Sequence, residues 1–423
     1  MSFNRCVWIV TKDIRLEDNL TLFLSLNQSN IVFPVFVMDE EQITKGGKNS
    51  VRFLFESLTE LDNELTKLSS MLHVVSRTHF REFIINNRID VGFILKAFTQ
   101  FEKQRYTEYS SFLNIVDIDD NLGCPRAKFL KKDGKPYVVF SYFEKNFMSN
   151  GGLELPNLAL PPNIHKISKI DSYPKYDFIS KYPVKSSEST WIGGLTEGKN
   201  ICMIRYSNLN STVKTPEKEI SPHLKFGTVS PRLVFHCGGQ RGVLWRALYY
   251  ILMDNDIVYV KQRNVTWNND VLPEATWHPI FKTWVNGNTG YDFVDAAIHQ
   301  LIRTGTMDNE VRMLVANFLV FVLGINWRYG EEFFRLNLVD YDWALNIGNW
   351  AWSAQIGIDN PSPNRAYEGK PIRVFNPETY KTKTKEEKEY RANFISKWLG
   401  RPQNSIPKVV DFKAAVTYNL QFY

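Results

Sequence analysis

Cysteine is scarce in this 423-residue chain. Cys6, Cys124, Cys202 and Cys237 stand far apart, and no two form a C-x-x-C pair. This scatter argues against a disulfide framework and a zinc site, and fits a reducing compartment. Long apolar runs are missing too. The most apolar stretch, Met313 to Ile325, contains Asn317 and falls short of the roughly 20 residues that span a bilayer, so it reads as a buried helix. The amino terminus has no long apolar core behind basic residues, and no secretory signal is expected. A glycine-rich phosphate loop and internal repeats are also absent. The first third therefore lacks a dinucleotide fingerprint, and any nucleotide cofactor is expected elsewhere. The expectation is a soluble intracellular monomer, with no membrane partner and no metal.

What is present is a globular balance: 43% hydrophobic and 23% charged residues. The length suits two domains with a substantial core. Aromatics reach 14%, with 11 Trp, which fits stacking or redox roles and fits a large aromatic core nearly as well. Lys+Arg at 51 against Asp+Glu at 45 gives a net charge of +6, compatible with a polyanionic partner.

The first third alternates short apolar, β-branched runs with amphipathic stretches. Val7–Val10, Ile31–Val37, Leu72–Val75, Val91–Leu95 and Ile115–Ile118 read as strands, and Val51–Leu68 as a helix. Strands alternating with helices predict a doubly wound parallel sheet, placed at residues 1–130. Residues 131–200 read as an interdomain connector, their periodicity dissolving after about 144 into Pro, Gly, Asn, Ser and Lys. Residues 201–410 read as an all-helical domain. The charged run Lys381 to Lys388 reads as a solvated helix face.

The helical half carries the chemistry. Leu338 to Ala354, L-V-D-Y-D-W-A-L-N-I-G-N-W-A-W-S-A, puts Asp340, Asp342, Asn346, Trp350 and Trp352 in one short span. Carboxylates, an amide and paired indoles suit a polar aromatic cofactor; a capped helix with core indoles explains them equally. Ser221 to Arg232, S-P-H-L-K-F-G-T-V-S-P-R, holds two Ser-Pro steps. These predict two serine-capped helix starts, the first of which also suits a pyrophosphate. Trp245-Arg246 with Tyr249 offers a stacking surface beside a cation. M-D-N-E-V-R-M brings Asn309 and Arg312 to one helix face. A largely buried arginine needs a partner, and Asp340 would serve.

In this order and spacing these segments resemble the photolyase/cryptochrome family of flavoproteins. W-I-V-T-K-D-I-R-L-E-D-N-L-T-L, Trp8 to Leu22, is similar to that family's first strand and loop, and I-R-V-F-N-P, Ile372 to Pro377, to its segment just past the flavin site. The likeness covers roughly residues 1–145 and 203–400. It implies an α/β antenna domain and a helical domain holding FAD. By motif, Tyr206 and Ser221 would contact the flavin's phosphate side, and Arg246 and Asn309 would line the cavity. Arg312 would pair with Asp340 beside the ring, Asp342 would accept from the ring or ribitol, and Asn346 would sit near N5. A neutral amide there favours the reduced anion FADH⁻ and repair of cyclobutane pyrimidine dimers in damaged DNA. Trp245 resembles the residue that stacks on the dimer and Met313 one that packs against it, with ordinary core roles open for both; Trp352 and Arg373 are assigned to the substrate/DNA side, Trp352 reading also as a packing neighbour of the flavin pocket. Trp350, Trp327 and, less directly, Trp267 match the flavin-reducing indole chain. A folate (methenyltetrahydrofolate) antenna is the common family choice, with Asp117 and Lys261 as candidate ligands; a deazaflavin or no antenna stays open.

The sequence also departs from the pattern. Gly242 stands where a dimer-binding glutamate is usual, Ala247 replaces an acid, and Glu310 replaces a DNA-facing arginine. Asp308-Asn309 occupies the place of the His-His pair of (6-4) photolyases. A cryptochrome-like blue-light receptor and a DASH-type enzyme acting on single-stranded DNA stay as alternatives.

Overall fold

A computed structural model describes residues 3–169, 191–207, 220–256, 270, 274–358 and 372–422. Two compact units divide the chain, one formed up to Asn255 and the other from Asp256 onward.

The first unit is built on a five-stranded parallel sheet, β1 (Phe3–Ile9), β2 (Ser29–Met38), β3 (His73–Ser76), β4 (Val91–Leu95) and β5 (Asn114–Ile118), in the order β3-β2-β1-β4-β5. Every residue of β4 is buried, as expected for a central parallel strand covered on both faces. Val7, Ile9, Val35 and Ile94 from the sheet meet Phe80, Ile84 and Leu113 in one core cluster. The expected helix is Lys48–Lys67, and it buries Phe53, Leu58, Leu61 and Leu65. A capping box, Thr99 with Glu102, starts the next, Gln100–Ser110.

The loop after β1 is knitted by its own side chains. Trp8 donates from Nε1 to Asp13, which also accepts from the Thr11 amide, while Asn19 donates to the Asp13 and Arg15 carbonyls. Burial raises the Asp13 carboxyl, opposed by the Thr11 and Trp8 hydrogen bonds. Arg15 reaches the Gly227 carbonyl at 2.9 Å. Gly227 has φ +70°, and a Cβ there would lie 1.8 Å from the Lys12 carbonyl oxygen, so only glycine fits. Arg232 binds both oxygens of Asp18 at 3.0 Å and both of Asp120 at 2.6 and 2.8 Å.

His73 packs its ring on Phe33 and Phe83, at 5.7 and 5.2 Å, and burial pushes its pKa down to about 4 from 6.5. The unfolded chain takes up a proton below pH 6.5 while the folded ring resists until about 4, so this term erodes stability across that window. Its size is on the order of 2–3 kcal/mol. His73→Phe is expected to flatten the denaturation midpoint between those pH values; an unchanged acid limb would remove His73 as its source.

The second unit is helical, with no strand among the described residues: Glu274–Val285, Asp292–Thr304, Asn309–Asn317, Trp327–Asn337, Trp343–Ser353, Lys385–Trp398 and Phe412–Asn419. Met313 to Ile325 is indeed buried for most of its length, running through a π-helical turn at Phe318–Val322. Among the described residues no helix is long and apolar enough to cross a membrane.

Candidate functional site

Asp342 starts the Trp343–Ser353 helix, its Oδ1 accepting from the Ala344 and Leu345 amides at 3.1 and 3.3 Å. The helical period then puts Asn346 and Trp350 on the same stripe as Asp342, and all three are buried. Asn346 donates from Nδ2 to the Glu331 carboxylate at 3.0 Å and to the Glu331 carbonyl at 3.3 Å. Tyr341 donates its hydroxyl to the same Glu331 oxygen at 3.1 Å. Burial raises the Glu331 carboxyl, and the hydrogen bonds from Asn346 and Tyr341 pull it back. With its nitrogen held, Asn346 turns its carbonyl oxygen to whatever lies opposite; no group among the described residues donates to it.

Arg312 and Asp340 form the pair expected from sequence. The guanidinium Nη2 donates to both carboxylate oxygens at 3.1 and 3.0 Å, and Nε donates to the Met307 carbonyl at 2.6 Å. The Asp340 side chain is 7% exposed and that of Arg312 24%, so the pair is partly desolvated. Asn309 is the exposed first residue of its helix, and Met313 on the same helix is half-buried. Trp350 packs edge-on against Phe334 and Trp284, at 5.0 and 6.5 Å. Trp327 is buried with the Arg328 guanidinium 5.0 Å from its ring centre, and Trp352 is half-buried. Arg373 is held by its backbone: its carbonyl accepts from Asn317 and Gln355, and its side chain lies exposed over Phe375.

The remaining expected residues that the structure describes belong to the first unit. Trp245 is stacked face to face on Phe140, at 4.0 Å and 3°, with Tyr249 at 5.5 Å. Arg246 is buried, donates to the Asn121 carbonyl and side-chain oxygen at 2.9 and 3.0 Å, and lies over Tyr250. Ser230 caps its helix as expected, accepting from the Leu233 amide at 3.0 Å. Ser221 does not; it is already the first helical residue, with Ile220 at the cap position. Asp117, on β5, faces Lys96 at 3.8 Å. Trp267, Lys261 and the Tyr206 side chain lie outside the described residues.

Four contributors carried no local signal: Glu331, Phe140, Trp284 and Lys381. Lys381 forms an ion pair with Glu310 beside the Tyr390 ring, so this exposed acid has a cationic partner within the chain. The Lys381–Lys388 run therefore does more than cover a solvated face. Its helix starts only at Lys385, under a Thr384–Glu387 capping box.

Comparison with known proteins places this arrangement. Residues 6–162 match the family model described as DNA photolyase, and residues 240–421 match that of the FAD binding domain of DNA photolyase. A deoxyribodipyrimidine photo-lyase of Agrobacterium fabrum is 28% identical, covering 88% of this chain and 82% of that one. One from Buchnera aphidicola is 27% identical, covering 94% and 88%. An archaeal photolyase structure from Sulfolobus tokodaii, solved with two FAD molecules, superimposes with a TM-score of 0.78 at 28% identity and 99% coverage of both chains. A bacterial class III photolyase from Agrobacterium tumefaciens shares the fold, with a TM-score of 0.80 at 24% identity, covering 100% and 97%. An α/β sheet unit followed by a helical FAD-binding domain, matched over most of its length, makes this chain a member of the DNA photolyase/cryptochrome family.

Proposed function

We propose that this protein is a light-driven DNA repair enzyme that splits cyclobutane pyrimidine dimers with reduced FAD. The observation that carries the reading is the Asn346 amide, its nitrogen fixed on Glu331 and its carbonyl left as a neutral acceptor in a buried site. A neutral acceptor suits a protonated ring nitrogen, as in FADH⁻, and gives no negative charge to oppose the anion. Asp342, with Arg312 and Asp340 nearby in sequence, completes a donor and acceptor set that fits a flavin. Bound there, reduced FAD would supply the electron that light drives into the dimer.

The chain's own residues would do the rest. Arg312, neutralised by Asp340, would offer donors to ring carbonyls without leaving an unpaired buried charge. Asp342 would take polar hydrogens from the cofactor. Trp245, its one face held by Phe140, would present the opposite face to an extruded, poorly stacked lesion. Arg373 would meet the nucleic acid from a backbone fixed by Asn317 and Gln355. The Glu310–Lys381 pair would remove the repulsion that an unpaired acid exerts on phosphates.

The test is to incubate reduced protein with dimer-containing DNA in light and in darkness. Light-dependent loss of dimers is expected; damage-specific binding without loss, or no preference for damaged DNA, would defeat the reading. Trp245→Ala is expected to lower dimer affinity about 10- to 100-fold, from the roughly 1–3 kcal/mol of a base–aromatic stack, with flavin content unchanged. Equal affinity in the variant would remove Trp245 from lesion binding.

A further inference from the structure

One turn of the first unit concentrates positive charge with little to balance it. Lys128 to Tyr137, K-F-L-K-K-D-G-K-P-Y, carries four lysines against a single acid, Asp133. The turn is ordered by its own backbone. Lys131 donates to the Lys135 carbonyl and Gly134 to the Lys131 carbonyl, both at 2.9 Å, and Gly134 sits at φ +77°, where glycine is favoured. Asp133 directs one carboxylate oxygen to the Lys135 amide at 3.1 Å. Lys128, Lys131, Lys132 and Lys135 are all exposed, and among the described residues none of them forms an ion pair. Like charges held on so short a turn repel one another, and an anion laid along them would relieve the repulsion.

Aromatic rings join this turn to Trp245. The Lys131 Nζ lies 5.5 Å from the Tyr137 ring centre, Tyr137 is 5.8 Å from Phe143, and Phe143 is 6.3 Å from Phe140, on which Trp245 stacks. Arg241, one helical turn before Trp245, holds its guanidinium 5.2 Å from the same Phe140 ring. It too is exposed, with no ion pair among the described residues. Gly242 follows it on the surface, and a Cβ there would meet no atom within 4 Å, so the helix beside Trp245 is open to a ligand.

We propose that the Lys131–Lys135 turn and Arg241 bind the backbone of the nucleic-acid strand that carries the lesion, extending the site from the base stacked on Trp245 along the neighbouring phosphates; the proposal rests on the repair reading above. A phosphodiester chain presents repeated single negative charges that call for cations and for no base-specific partner. Half-buried Tyr137 and Trp245, with cations set beside them, repeat the pairing of aromatic faces and basic side chains that tracks a single strand. Contacts of this kind position a strand without reading it. The turn therefore raises affinity for damaged and undamaged strands by the same factor, and preference for the lesion is left to Trp245.

The experiment measures binding of the full-length, FAD-loaded protein to a single-stranded oligonucleotide and to a duplex, each with and without one cyclobutane dimer, across a range of salt concentrations. The triple variant Lys131→Ala, Lys132→Ala, Lys135→Ala is expected to flatten the slope of log affinity against log salt by about 2 on the single strand, from roughly 0.7 for each lost phosphate contact. Damaged and undamaged strands should weaken alike, and Arg241→Ala should add to the loss. The substituted lysines are exposed, and an unchanged flavin content checks that each variant is folded. An unchanged salt slope would overturn the surface and leave the repair reading standing; if binding to phosphatidylserine vesicles were lost instead, the turn would belong to a membrane surface. A loss confined to the duplex would overturn the assignment to the lesion-bearing strand. A wild-type protein without preference for dimers would overturn the repair reading and the strand assignment with it.

Discussion

Asp340→Asn is expected to strip the protein of flavin and to destabilise its helical unit by about 1–2 kcal/mol, below the scale for a fully buried ion pair because the Arg312 side chain is 24% exposed. Arg312 would keep its Nε bond to the Met307 carbonyl, while its Nη2 would face a neutral amide in place of two carboxylate oxygens. The cation then loses its carboxylate partner, next to the place proposed for the flavin ring. Visible absorbance of the purified protein reads cofactor retention, and chemical denaturation of the apoprotein reads stability. Arg312→Lys should not behave like wild type, because a point charge does not replace a planar fork held at three places. A variant that retained FAD at wild-type stoichiometry and melted normally would show that the pair is incidental to cofactor binding.

The second large effect is expected at Arg232, far from any proposed chemistry. Its guanidinium joins Asp18 and Asp120, whose side chains are 7% and 3% exposed, and also reaches the Gly123 carbonyl. Arg232→Ala would leave two buried carboxylates without their hydrogen-bonded partner, with the Arg15 guanidinium still acting on both, at a cost of about 3 kcal/mol. Removing one of the two charges should relieve part of the repulsion, so Arg232→Ala with Asp120→Asn is expected to lose less than Arg232→Ala alone. Urea denaturation of the two variants decides it. An equal or larger deficit in the double variant would mean that lost packing, not charge, is responsible.

These two arginines show what the sequence makes legible. The strands could be read because parallel strands buried on both faces are continuous apolar runs, and Val91–Leu95 is one of them. Arg312 and Asp340 could be paired because a buried arginine demands an acid. The job of T-K-D-I-R-L-E-D-N could not be read. Its partners, Gly227 and Arg232, lie more than 200 residues away, and nothing local marks Gly227 as lying under the Lys12 carbonyl. Glu331 and Phe140 stayed hidden for the same reason: a glutamate in W-R-Y-G-E-E and a phenylalanine in V-V-F-S look like surface and core filling until the fold brings Asn346 and Trp245 to them. Ser221 was misread because a Ser-Pro step marks a helix start only to within a residue, and the helix here begins at the serine itself.

The hydrogen bond between Asn346 and Glu331 constrains how this site could ever change. An aspartate at 346 would bring two carboxyl groups within about hydrogen-bonding distance, and each negative charge would make the other harder to form. Turning this position into an acidic one would therefore require position 331 to give up its charge at the same time.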